Sequence, residues 1–90
     1  MTDYEIEKLT YYVSLELKHI RKRKKILQDD IAFELNVTPQ YIGRIENGYK
    51  KKLSLYMFIK IADYYGIPFN KVVENAQARM ELDNNTFENN

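Results

Sequence analysis

Two polar side chains four residues apart, Gln40 and Arg44, have the chemistry needed to recognise DNA bases. A glutamine amide can pair with N6 and N7 of adenine, and an arginine guanidinium can pair with O6 and N7 of guanine. Residues four apart on a helix project from the same face, and here that face lies opposite Ile42 and Ile45. The alternative interpretation is that both are ordinary solvated residues of a surface helix.

The basic residues are concentrated in the middle of the chain, although the net charge of the 90 residues is only +1. Residues 17–52 carry ten Lys and Arg against four Asp and Glu, whereas both flanking segments are acidic. A basic block between acidic flanks favours a polyanion on one face of the molecule. Its densest parts are the run from Arg21 to Lys25 and the loop lysines Lys50, Lys51 and Lys52. Both are candidates for phosphate contact, with solvated surface charge as the alternative.

Composition argues against several other kinds of protein. There is no cysteine, and His19 is the only histidine, so we expect no metal, no cofactor and a surface position for His19. No nucleophile and base occur in a recognisable arrangement, which argues against an enzyme. The longest apolar run, Leu55 to Ile59, is far short of the roughly 18–20 residues that span a bilayer. The acidic N-terminus does not resemble a signal peptide, so a cytoplasmic protein is predicted.

Local signals predict the first two helices. Thr2 and Glu5 have the spacing of a capping box, and apolar residues then recur at steps of three and four up to the basic run. The second helix is predicted from about Gln28 to Leu35. It is followed by Asn36, which tolerates the left-handed conformation wanted at a helix end.

The third helix has the clearest start. Thr38 is a suitable N-cap and Pro39 suits the first helical position, while Gly48 suits the end. Only two residues, Asn36 and Val37, separate the second helix from this cap. Two short helices joined so tightly cannot lie side by side, so they must cross steeply.

Two further helices complete the pattern. The fourth is predicted to follow Ser54 and end at Gly66, with one apolar face formed by Leu55, Phe58, Ile59, Ala62 and Tyr65. The fifth is predicted from near Phe69 to Leu82, followed by a frayed tail over residues 83–90. The aromatic residues Tyr56, Phe58, Tyr64, Tyr65 and Phe69 are expected in the core or at a dimer surface rather than as a platform for single-stranded bases.

The segment from Leu17 to Val73 resembles the Xre/Cro/C1-type helix-turn-helix family, which has the lambda-repressor-like fold. The likeness is carried by residues 17–21 (LKHIR), 28–32 (QDDIA), 35–39 (LNVTP) and 41–48 (YIGRIENG), with Ser54, Leu55 and residues 60–62 behind them. The resemblance implies an all-α bundle of five helices. Residues 1–16 would be an N-terminal helix extension, residues 17–73 the DNA-binding domain, and residues 74–90 a C-terminal helix extension and disordered tail.

The resemblance also implies roles for individual residues. The third helix would be the recognition helix in the major groove, with base contacts from Thr38, Pro39, Gln40, Tyr41, Gly43 and Arg44. Gln28 would bind phosphate and brace this helix. Asn47 would bind phosphate at its far end, unless it only caps the helix. Arg21 and Glu46 would form a structural ion pair.

The chain departs from the family pattern before the second helix. Family members usually carry glycine there, followed by serine or threonine as the N-cap. Lys25 and Leu27 occupy these two positions, so this turn is expected to be less well capped.

The function implied is a transcriptional regulator, a repressor that binds an operator in double-stranded DNA as a homodimer. The fifth helix and the N-terminal extension are expected to form the dimer contact, because a small core cannot cover the apolar residues Phe69, Val72, Val73, Met80 and Leu82. The alternative is an antitoxin or regulatory partner that uses the same fold to bind a protein.

Overall fold

The computed structural model describes residues 1–48 and 54–88, and this part of the chain contains five helices and no strand. The helices are α1 (Asp3–Arg23), α2 (Gln28–Leu35), α3 (Pro39–Glu46), α4 (Leu55–Tyr64) and α5 (Phe69–Glu88). The all-α architecture expected from the sequence is therefore confirmed. None of the described helices is both long enough and apolar enough to cross a membrane.

Side-chain caps begin three of the helices where the sequence predicts them. The backbone N–H of Glu5 donates to the Thr2 hydroxyl at 3.1 Å, and the Glu5 carboxylate accepts from the Thr2 N–H, which completes the capping box. Thr38 caps α3 and Ser54 caps α4 in the same manner. Each cap satisfies a backbone donor that has no partner within its helix.

The turn before α2 lacks both the glycine and the Ser or Thr N-cap that family members usually have there. Lys25 has the left-handed φ of 57° that glycine adopts without strain. Leu27 has no side-chain oxygen to cap α2, and its own N–H donates to the Asp30 carboxylate at 3.2 Å. At the other end of α2, Asn36 has the predicted left-handed conformation.

All five helices contribute to one core. Its most deeply buried large side chains are Leu17, Ile20, Ile31, Ile42, Ile45 and Val72. The predicted apolar face of α4 is partly wrong, because Leu55 is 60% exposed and Ile59 is 45% exposed. The buried positions of α4 and its end are Phe58, Ile61, Ala62 and Tyr65, a stripe at steps of three and four. Ile59 lies about 100° around the helix from Phe58, outside that stripe.

The N-terminal extension packs against α5. The Tyr12 hydroxyl donates to Asp83 at 2.5 Å, and Lys8 donates to Asn84 one residue further along α5. Glu16 is buried and pairs with Arg79 at 3.1 Å. These contacts extend to Asp83 and Asn84, and α5 continues to Glu88, so the frayed tail predicted from Asp83 is instead helical up to that residue.

The apolar residues of α5 are covered by the chain itself more fully than predicted. Val72 is completely buried, and Phe69, Val73 and Met80 pack against the core. Phe69 stacks on Phe58, with ring centroids 6.1 Å apart. Leu82, at 66% exposed, is the one member of the predicted apolar set that remains on the surface.

Candidate nucleic-acid interface

Helix α3 is anchored by one face and presents the other to solvent. Ile42 and Ile45 are each 1% exposed and form part of the core. Gln40 and Arg44, four residues apart on the opposite side, are both exposed. An amide and a guanidinium therefore project side by side from a helix whose rotation is fixed by two buried isoleucines.

The other predicted base-contact residues have different surroundings. Thr38 is exposed, and its hydroxyl accepts from the N–H of Tyr41 at 3.1 Å. Pro39 and Gly43 are half-buried, and Tyr41 packs partly against the core. A side chain at position 43 would meet the Gln28 amide at 3.7 Å, so Gly43 lies where α2 approaches α3. Of the six residues, Gln40 and Arg44 combine exposure with side chains able to form paired hydrogen bonds to a base.

The predicted ion pair between Arg21 and Glu46 joins α1 to the end of α3. Arg21 Nε donates to Glu46 Oε2 at 2.6 Å, and Arg21 Nη2 donates to Glu46 Oε1 at 3.1 Å. Arg21 Nη1 donates to the carbonyl of Ile26 at 2.7 Å. Both charged residues are buried, and the hydrogen bonds to Glu46 raise the pKa of Arg21 further above its usual range. Planar, two-bond geometry of this kind fixes both orientation and distance.

Gln28 completes this buried network at the first turn of α2. Its Nε2 donates to Glu46 Oε1 at 3.0 Å, so α1, α2 and α3 meet at one carboxylate. Burial, followed by the negative charge of Glu46, raises the pKa of the nearby Tyr65 phenol. This hydrogen bond to Glu46 is a contact through which Gln28 could brace α3, the role that the family resemblance implies. The half-buried amide also lies at a helix N-terminus, where free N–H groups favour an anion.

A groove beside Gln28 is lined by Arg21 and by two lysines that the sequence analysis did not single out as a pair. Lys18 and Lys22 line it with Gln28 and Asp29, between the last turns of α1 and the start of α2. The sequence could have predicted this pair, because Lys18 and Lys22 are four residues apart on α1 and must therefore share a face. It was missed because the predicted basic run starts at Arg21.

The far end of α3 carries the remaining predicted phosphate contacts. Asn47 is exposed, and its backbone N–H donates to the carbonyl of Gly43. Gly48 follows with a left-handed φ of 73°. The predicted contacts Lys50, Lys51 and Lys52 lie outside the described residues.

His19 is half-buried rather than at the surface as predicted. Burial, and then the positive charge of Arg79, lower the pKa of its imidazole. Its position follows from the packing of α5 against the first helix, which no local signal in the sequence reveals.

A family model described as helix-turn-helix matches residues 17–72, which is more than half of the chain. A search of the curated proteins finds no match. The matched segment runs from the last turns of α1 through the exposed face of α3 to the first turn of α5. The chain therefore belongs to the Xre/Cro/C1-type helix-turn-helix family of DNA-binding transcriptional regulators.

Proposed function

We propose that this protein is a repressor that binds a specific operator in double-stranded DNA with α3 in the major groove. The observation that carries this proposal is the exposure of Gln40 and Arg44 on one face of α3. The opposite face is buried through Ile42 and Ile45. Because α3 cannot rotate without opening the core, the direction in which these two side chains project is fixed. They can therefore contact the edges of bases in the major groove. We propose repression rather than activation, because a protein that occupies its operator can block transcription without contacting any other protein.

Phosphate contacts would set the position of α3 on the duplex. We assign them to Gln28 at the start of α2, to Asn47 at the end of α3, and to the loop residues Lys50, Lys51 and Lys52. Lys18 and Lys22 extend the same basic surface beside Gln28. Such contacts supply affinity and orientation but carry no direct sequence information.

The experiment that tests this function is selection of bound sequences from a random pool of double-stranded DNA. The expected result is enrichment of a palindrome whose half-sites lie about 34–36 Å apart, or one turn of DNA, because a two-fold dimer places two copies of α3 in successive grooves. Failure of any sequence to be enriched over the starting pool would overturn the proposal.

Exposed apolar residues on α4 support a dimer surface on that helix. Leu55, Tyr56 and Ile59 fall within about 100° of one another around the helix, and all three are exposed. Lys60 covers part of the Tyr56 ring, with its ammonium 5.4 Å from the ring centroid. On α5 the corresponding exposed residue is Leu82. We therefore propose a homodimer through α4, with a contact through α5 and the N-terminal extension, as the sequence predicts, as the alternative.

Replacing Ile59 by glutamate is expected to convert the dimer to a monomer at tens of micromolar protein. A charge in the middle of a small apolar contact is costly to bury without a partner, whereas in the monomer this position already faces water. The molar mass from light scattering measures the change. Leu82→Glu is the matched control, because it adds the same charge at an exposed leucine of α5. Dissociation by Leu82→Glu alone would place the contact on α5, and a monomeric wild type in the presence of its operator would refute dimerisation.

A partner-binding protein is the second candidate function, and one observation favours it. Phe33 of α2 is 87% exposed, and acidic Glu34 follows it. Exposed aromatic side chains are enriched where proteins bind one another. An antitoxin or regulatory partner would use such a residue to hold a second protein. Absence of any selected DNA sequence would favour this candidate.

A further inference from the structure

Tyr11 contacts the end of the recognition helix although it lies outside the matched segment. A methyl group at Gly48 would be 2.7 Å from Cδ2 of the Tyr11 ring and 3.4 Å from Cε2. The ring therefore lies directly against the glycine backbone. Gly48 also has a left-handed φ of 73°, so the position needs glycine for two separate reasons: its conformation and the approach of this ring.

The ring of Tyr11 also packs against a second tyrosine of the extension. It meets the ring of Tyr12 edge to face, with centroids 5.5 Å apart. The Tyr12 hydroxyl is hydrogen-bonded to Asp83 of α5, and this bond raises the pKa of the Tyr12 phenol to about 12. A continuous set of contacts thus runs from α5 through two tyrosines of the extension to Gly48.

The two ends of α3 are consequently supported by different parts of the chain. Its beginning is fixed by the Thr38 cap and by the short connection from α2. Near its end, Glu46 is bonded to Arg21 and Gln28. Beyond Glu46, the last backbone bonds are those of Asn47 to Gly43 and of Gly48 to Ile45. Tyr11 covers this final turn.

We propose that Tyr11 is a positioning residue for DNA binding, which holds the final turn of α3, through Gly48, where Asn47 can reach a phosphate. This inference rests on the proposed function. Tyr11 would not touch DNA itself. Loss of its ring would remove no DNA-facing side chain, but it would remove the support behind the final turn of α3.

The first test is the affinity for the selected operator. Tyr11→Ala is expected to weaken binding roughly 3- to 30-fold, the range typical of substitutions that act through neighbouring packed residues. Tyr11→Phe keeps the ring and is expected to bind within about twofold of wild type. Tyr4→Ala is the matched control, because Tyr4 is a more exposed tyrosine of the same extension, whereas the three atoms nearest a methyl group at Gly48 all belong to Tyr11. Equal affinity of Tyr11→Ala and wild type would overturn the proposal.

The second test is hydrogen exchange in the free protein, which needs no DNA. Tyr11→Ala is expected to speed exchange of the Asn47 and Gly48 amides, while amides in the middle of α2 and α4 keep their wild-type rates. A local change of this kind reports loss of support at one turn. Uniform acceleration over all helices would instead show a general loss of stability and would contradict a positioning role.

The third test is a double-mutant cycle between Tyr11 and Gly48. Gly48→Ala is expected to lower the equilibrium constant for folding, and to lower it several-fold less when Tyr11 is already alanine. The strain of the left-handed φ remains in both backgrounds, whereas the clash with the ring exists in only one. Equal penalties in the two backgrounds would show that the ring does not contact Gly48. Absence of DNA binding by wild type would refute the proposed function, while the exchange experiment and this cycle would still test the placement of Tyr11.

Discussion

Replacing Glu46 by alanine is expected to lower the free energy of unfolding by about 3–5 kcal/mol, the range found when one partner of a buried ion pair is removed. Glu46 is 3% exposed and accepts two hydrogen bonds from Arg21 and one from Gln28. Its removal leaves the Arg21 guanidinium buried with one hydrogen bond, to the carbonyl of Ile26. Denaturant unfolding followed by circular dichroism at 222 nm measures the loss.

An exposed ion pair provides the control for this prediction. Lys71 and Glu74 lie 3.7 Å apart on the surface of α5, with both side chains more than half exposed. Glu74→Ala is expected to change the free energy of unfolding by less than about 1 kcal/mol, because water already solvates both charges. Similar losses for Glu46→Ala and Glu74→Ala would show that the buried pair is not needed for stability.

The double variant Arg21→Met with Glu46→Met separates stability from function. Apolar replacement of both partners is expected to recover most of the lost stability, since no unpaired charge remains buried. Operator affinity is expected to be lower than that of the wild type, because α1 and α3 are then joined by packing alone and Gln28 has lost its acceptor. A variant that recovers both properties would show that the pair contributes nothing to the orientation of α3.

Local sequence signals account for the helices and their ends. Thr2, Thr38 and Ser54 each supply a hydroxyl at the start of an apolar periodic segment, and each caps a helix in the structure. Asn36 was predicted to be left-handed because its side chain tolerates that conformation. Features of this kind depend on four or five consecutive residues, so the sequence alone contains the information needed to predict them.

Contacts between distant segments could not be derived in this way. Tyr12 and Asp83 are 71 residues apart and have no spacing that relates them. The extension of α5 beyond Leu82 depends on this contact and on the one between Lys8 and Asn84, so the Asn-rich composition was misleading. Arg21 and Glu46 are also far apart in sequence, and they were predicted only because the chain resembles a known family.

Packing against neighbours also decided which side of α4 is buried. An apolar stripe that included Leu55 and Ile59 has acceptable helical spacing, but the core covers the side that carries Ile61. Lys25 is a conflict of another kind, since a lysine occupies a left-handed position where local preference favours glycine. In both cases tertiary contacts override a local preference. At Lys25 the relevant contact is the hydrogen bond from buried Arg21 to the carbonyl of Ile26, the next residue.

Replacing Gln40 or Arg44 by alanine is expected to weaken binding to the selected operator by about 1–3 kcal/mol per half-site. Each side chain is exposed and free to form a pair of hydrogen bonds with one base in this orientation of α3. The loss should be largest for the selected sequence and much smaller for random DNA, so the ratio of the two affinities should fall. Titrations of fluorescent duplexes at one fixed salt concentration measure both affinities.

Asn47→Ala is the matched control, because Asn47 is exposed at the other end of the same helix and is assigned to phosphate. A phosphate contact carries no base information, so this variant should weaken the selected and random duplexes by the same factor and preserve their ratio. Circular dichroism should show all three variants fully folded, since none of these side chains belongs to the core. If Gln40→Ala and Arg44→Ala retain wild-type discrimination while folded, α3 does not recognise the bases of this operator. The exposed surface of α2 around Phe33 would then be the better candidate for the functional site, with a protein as its partner.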